Sequence, residues 1–163
     1  MPEQAAEQAR RDRVFLVVVD DSPERAVALK YACLRVARSG GRVALLRVLE
    51  PVEHSEWATI GAMITEERRE EAESLLAGLA QQVKDITGGL PTLIIREGVV
   101  ADELLALLAE DPQISILVLA TASGSKGPGP LVSALTGRLA GQMTVPMTIV
   151  PGGLSETELN RVT

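Results

Sequence analysis

Across 163 residues the chain has one cysteine, one histidine, and a single phenylalanine, tyrosine and tryptophan. Each scarcity removes a class of function. With Cys33 alone, neither an intramolecular disulfide nor a multi-cysteine metal site can form, which suits a reducing compartment. Aromatic content of 2% leaves almost no platform for stacking bases, and a net charge of -6 repels a phosphate backbone, so the composition argues against nucleic-acid binding. His54 lies in a polar loop and reads as an exposed residue, and no catalytic triad is supported. No apolar run approaches the roughly 20 residues of a membrane span, because Asp, Arg, Glu or Gly interrupts every strand-like stretch. Met1 to Arg13 is polar and mixed in charge, with no apolar stretch to act as a secretory signal. The expectation is a soluble, cytoplasmic protein with no membrane partner.

What the chain does have is aliphatic residue. Hydrophobic residues make up 46%, enough for one domain whose core is built from Leu, Val, Ile and Ala. Strand-like and helix-like runs alternate from Val14 onward. Val14 to Val19 is a continuous apolar run ending at Asp20-Asp21, as expected of a central parallel strand. Ser22 then reads as an N-cap and Pro23 as a first-turn residue of a helix reaching Gly40-Gly41. Arg42 to Leu49 gives a second strand, followed by a loop with His54 and Trp57, the latter read as a packing residue. A long helix is expected to begin between Met63 and Glu66 and to stop at Gly88-Gly89. A third strand covers Thr92 to Arg96, a helix runs from Val100 to Glu110, and Ile114 to Leu119 is a fourth strand. The last helix shows the stripe Leu131, Leu135, Leu139 and Met143. Val145 to Val150 reads as a short edge strand, because Pro146 lacks an N–H for an interior ladder. The fold class is therefore α/β: a single-domain, doubly wound, Rossmann-like arrangement of a five-stranded, mostly parallel sheet with four helices. Residues 1–12 read as a flexible N-terminal segment, 13–150 as the domain and 151–163 as a polar, poorly ordered C-terminal tail.

One segment carries most of the functional signal. The fourth strand runs straight into Ala120 to Pro130, a loop containing Gly124, Lys126, Gly127 and Gly129, and then into a helix. Glycines let backbone amides turn toward a ligand, and a helix start is positive, so strand, Gly-rich loop and helix together can cradle phosphate. The plain alternative is a connecting turn. Lys126 could pair with a phosphate as a point charge or simply be solvated, and no Walker A pattern surrounds it. Asp20 ends a central strand, where open α/β sheets bind ligands. Asp21 reads as a turn residue, and the neighbouring carboxylates point apart instead of forming an acid–base pair. Cys33 reads as a small core residue.

The order of these elements from Val14 to Val150 resembles the universal stress protein family. Four local matches carry the resemblance: the first strand ending in Asp20 followed by Ser22; Leu46-Arg47-Val48-Leu49-Glu50-Pro51, where the family has an L-H-V-x-x-P-like stretch; Arg96-Glu97-Gly98; and the Gly-rich loop leading to Val145-Pro146-Met147-Thr148-Ile149-Val150. The resemblance implies strand order 3-2-1-4-5, adenine and ribose near Asp20 and the backbone of Val48, and phosphates over the loop and the start of the last helix. Nucleotide-binding members carry Gly, two residues, Gly, nine residues, then Gly followed by Ser or Thr. Aligned through the fourth strand and Pro146, these four positions fall on Ala120, Ser123, Ser133 and Ala134, so the glycine motif is degenerate. A second register places Gly124, Gly127 and Gly137 at the glycines with Arg138 next, but sets Gly137 inside the Leu131, Leu135, Leu139 stripe.

Three functions follow as expectations. The first is a non-catalytic stress-response protein, homodimeric through Val145 to Val150, that binds an adenine nucleotide such as ATP or AMP. The second is a dimeric interaction module of the same fold that has lost the nucleotide. The third is a slow nucleotide hydrolase, for which only Asp20 offers a carboxylate near the loop.

Overall fold

The apolar run Val14–Val18 forms strand β1, and all five of its side chains are buried. It occupies the centre of the sheet in a computed structural model that describes residues 1–51 and 58–163. His54 and Trp57 lie outside the described residues. Around β1 stand β2 (Arg42–Leu49), β3 (Thr92–Glu97), β4 (Ile114–Thr121) and β5 (Met147–Pro151) in the order β3-β2-β1-β4-β5. Every pairing is parallel, with Val17 opposite both Leu45 of β2 and Val118 of β4. A strand buried on both faces needs apolar residues at odd and even positions alike, which is why Val14 to Val18 shows no alternation.

Successive side chains of β1 nevertheless point to opposite faces of the sheet and divide the interior in two. Val14, Leu16 and Val18 point into one cluster with Leu46, Leu117, Leu104 and Leu107 of α4 (Val100–Glu110), and Val132 and Leu135 of α5 (Pro130–Thr136). Phe15, Val17 and Val19 point into the other, with Leu29, Ala32 and Cys33 of α2 (Arg25–Ser39) and Leu76 and Val83 of α3 (Ala58–Thr87). Both faces of the sheet are thus covered by helices, as parallel strands require.

Among the described residues six α-helices are present in place of the expected four. The additional ones are α1 (Pro2–Arg11) and α6 (Glu156–Val162), in the two segments flanking the domain. In α1, strong helix formers and a Glu7–Arg11 ion pair one turn apart support a helix with no buried residue. The polar tail carries α6 through a capping box of Ser155 and Glu158 and through Leu159, which is buried against α2.

Four boundaries also move. Helix α2 begins at Arg25 and not at Ser22, because Asp20 Oδ1 accepts both the amide (2.9 Å) and the hydroxyl (2.6 Å) of Ser22 and holds it in the preceding turn. Helix α3 begins at Ala58, ahead of Met63, since the breaker Pro51 lies well before it. Ile60 and Met63 are exposed in that first stretch, so no buried stripe announces it. The last stripe is split. Helix α5 stops at Gly137, and a 3-10 turn at Ala140–Gln142 carries the chain on, with Leu135 and Leu139 still buried. Strand β5 starts after Pro146, whose carbonyl accepts the amide of Leu117 at 2.9 Å.

Among the described residues no helix is long and apolar enough to cross a membrane.

Candidate functional site

Strand order reverses between β1 and β4, since the chain winds outward through β2 and β3 on one side and through β5 on the other. Crossover helices therefore leave the carboxyl ends of β1 and β4 uncovered between them, the usual ligand position in open α/β sheets. A cleft of about 150 Å³ opens there, lined by Val18 and Asp20 of the β1 end, Glu24, Arg25 and Ala28 around the start of α2, Leu119 and Ala120 of β4, and Pro128 to Val132. A cavity of roughly 150 Å³ takes one benzene ring. The cleft is of that order of size.

Two turns build its rim. On the β1 side Asp20 folds over Ser22, and its carbonyl accepts the Arg25 guanidinium at 2.6 Å. Asp21 turns the other way and pairs with Arg47 at 2.8 Å. Arg47 also donates to the carbonyl of Val19 at 3.0 Å. Its Nε is buried with no hydrogen-bond partner among the described residues. The two adjacent carboxylates thus serve separate local contacts and do not converge.

On the β4 side the loop is closed by the amide of Ala122 donating to the carbonyl of Pro128 at 3.1 Å. Gly124, Gly127 and Gly129 have φ of 96°, 84° and 99°, the left-handed region that glycine reaches without a steric penalty. Among the described residues, the amides of Gly124, Ser125, Lys126 and Gly127 donate to no backbone carbonyl. Helix α5 contributes less than a longer helix would: it has seven residues and begins with Pro130, which has no N–H to offer.

Asp20 and Ala120 line the cleft directly. Ser123, Gly124, Lys126 and Gly127 sit on the exposed loop above it. Ser133 is exposed on α5, while Ala134 packs against the core. Val48 is buried in β2 opposite Arg96 of β3 and is not among the residues lining the cleft. In the second register Gly137 terminates α5 and does not lie inside a continuous helix.

Glu24 and Arg25 are rim residues that the sequence did not single out. Glu24 Oε1 accepts the amide of Ser123 at 3.2 Å and its hydroxyl at 3.3 Å, a contact across 99 positions. The hydrogen bonds from its own backbone amide and from that of Ser123 hold its carboxyl below the usual carboxylate range. The available signal was spacing: once Asp20 captures Ser22, the N-cap Glu24 and the first helical residue Arg25 fall four and five positions after Asp20, at the cleft mouth.

No curated protein sequence matches this chain. Solved structures do. Universal stress protein UspA from Lactobacillus plantarum superposes with a TM-score of 0.71 at 18% identity, over 86% of this chain and 98% of that one. A universal stress protein family protein from Arabidopsis thaliana, with AMP bound, gives a TM-score of 0.57 at 17% identity, over 89% and 95% of the two chains. A universal stress protein in complex with cAMP gives 0.58 at 16% identity, over 86% and 98%. These identities speak for the fold. The profile of the universal stress protein family matches residues 13–151, from just before β1 to the end of β5. The chain belongs to the universal stress protein family.

Proposed function

We propose that this protein is a cytoplasmic, non-catalytic stress-response protein that binds an adenine nucleotide with its ring in the cleft between β1 and β4 and its phosphate end over the Ala122 to Gly129 loop. The observation that carries this reading is the cleft itself. It stands at the point where strand order reverses, is of the order of one ring in size, and opens onto a loop whose successive amides, from Gly124 to Gly127, donate to no carbonyl among the described residues. AMP and cAMP in the two structural relatives agree in ligand class. On this reading Asp20 meets a ribose hydroxyl and Lys126 meets a phosphate from the loop. Among the described residues the rim offers hydrogen-bonding groups but no assembled acid, base and nucleophile, which favours binding over turnover.

A second reading is favoured by the degenerate motif. Ala120, Ser123 and Ala134 carry side chains where nucleotide-binding members have two glycines and a Ser or Thr. On that reading the protein is a dimeric interaction module whose cleft has gone out of use. Mass spectrometry of the small molecules released on denaturing freshly purified protein, followed by calorimetric titration with AMP and ATP, separates the two. Co-purified adenine nucleotide or micromolar binding supports the first. An empty protein with no heat of binding overturns it in favour of the second.

A further inference from the structure

We infer that Glu24 sets the ligand class of the cleft by holding its carboxylate on Ser123, at the start of the loop that would take the phosphates, so that the site discriminates against a triphosphate relative to the nucleoside. The inference rests on the adenine reading above and concerns which adenine ligand that site accepts.

Three observations converge on it. Glu24 leaves the start of α2, crosses the mouth of the cleft and places Oε1 on both the amide and the hydroxyl of Ser123, the first serine of the phosphate-facing loop. The path of its side chain is built for it: a Cβ at Gly152 would lie 2.5 Å from Glu24 Cγ and 2.1 Å from the carbonyl of Thr121, so only glycine leaves that stem room. The charge around the mouth only partly offsets the carboxylate: Asp20 lines the cleft as well, and against these two carboxylates stands one cation, Arg25, which donates to the carbonyl of Asp20. Lys126 is exposed on the loop and does not line the cleft.

An amide donor serves one anion at a time. A phosphate chain reaching Ser123 either displaces Glu24 or stays out in the company of two carboxylates. Unfavourable charge placed against one ligand is an effective means of choosing another, and here it falls on the polyphosphate and spares the ring and ribose.

The test is calorimetric titration of the full-length protein with adenosine and with ATP, for the wild type, Glu24→Gln and Glu24→Ala. The wild type is expected to bind adenosine more tightly than ATP. Removing the charge is expected to raise the ATP-to-adenosine affinity ratio about tenfold, the order of one charge pair screened by bulk water. A wild type that prefers ATP overturns the inference, as does an unchanged ratio in both variants. Parallel loss of adenosine and ATP affinity also overturns it, since that is the signature of a contact that only holds the loop in place. If none of the three proteins binds either ligand, the adenine reading itself fails and the inference falls with it.

Discussion

Cys33 shows how burial decides the chemistry of a single group. Its thiol is fully buried between β1 and α2, and burial pushes its pKa up to about 11 from 9.0, against a small opposing pull from Lys30. At neutral pH it is a protonated core residue and not a nucleophile, so thiol reagents should label it only when the protein unfolds. The sign of its pH dependence follows. Between pH 9.0 and about 11 the unfolded chain releases the Cys33 proton while the native state keeps it, so stability is complete below that window and falls as pH rises through it. The loss is expected to reach about 1 kcal/mol near pH 10. Denaturant unfolding of wild type and Cys33→Ala at neutral pH and near pH 10 checks this: the wild type should lose more stability between the two conditions than the variant, and equal losses would contradict the assignment. Legibility differs sharply among such residues. Asp20 was readable because it ends an apolar run, and its neighbour Asp21 because adjacent carboxylates at a strand end diverge. Glu24 was not, because its partner Ser123 lies 99 positions away and no local pattern links them.

At the scale of elements, α4 and α6 mark the two extremes. Helix α4 runs from Val100 to Glu110 just as its sequence indicates, since the Leu104, Leu107 and Leu108 stripe packs on the sheet and Pro112 follows shortly after its end. Helix α6 has only seven residues, too few to display a helical period, and a helix of that length has no stability of its own. It forms because it docks. Leu159 is buried in the core cluster of α2, and Arg38 donates to the carbonyl (2.6 Å) and side-chain oxygen (3.2 Å) of Asn160. At its start the Ser155 hydroxyl accepts the amide of Glu158 at 3.2 Å, while the Glu158 carboxylate accepts the amide of Ser155 at 2.7 Å. Removing the cap with Ser155→Ala is expected to cost about 1 kcal/mol of helix stability, and Leu159→Ala about 2 kcal/mol or more. Amide exchange over residues 156–162 is the measurement. Leu159→Ala should release the whole segment to rapid exchange while β5 stays protected, and continued protection of the segment would show that α6 does not depend on this contact.

The whole molecule presents two open sheet edges, β3 and β5, and their difference in character leads to the proposed assembly. An edge strand carries a row of unpaired backbone groups, and proteins that stay single blunt it with charge. Strand β3 ends in Arg96 and Glu97, each engaged in ion pairs with helix residues. Strand β5, Met-Thr-Ile-Val-Pro, has no charged residue, and Ile149 is 37% exposed on it. Two copies meeting edge to edge at β5 about a twofold axis would give each strand a partner and cover Ile149, the self-complementary contact that a symmetric dimer needs. Leu93 on β3, at 44% exposure, supplies the matched control. Light scattering is expected to give a dimer mass for the wild type, a monomer mass for Ile149→Lys and an unchanged dimer mass for Leu93→Lys. A charge at the centre of an apolar strand pair has no route to water and no partner, so association should weaken by at least tenfold. If Leu93→Lys dissociates the protein while Ile149→Lys does not, β3 is the interface and the contrast in edge charge has been read the wrong way. A wild type that is already monomeric would mean that β5 meets solvent unaided, with Pro146 just ahead of the strand and Pro151 at its end limiting how far any foreign strand can extend along it.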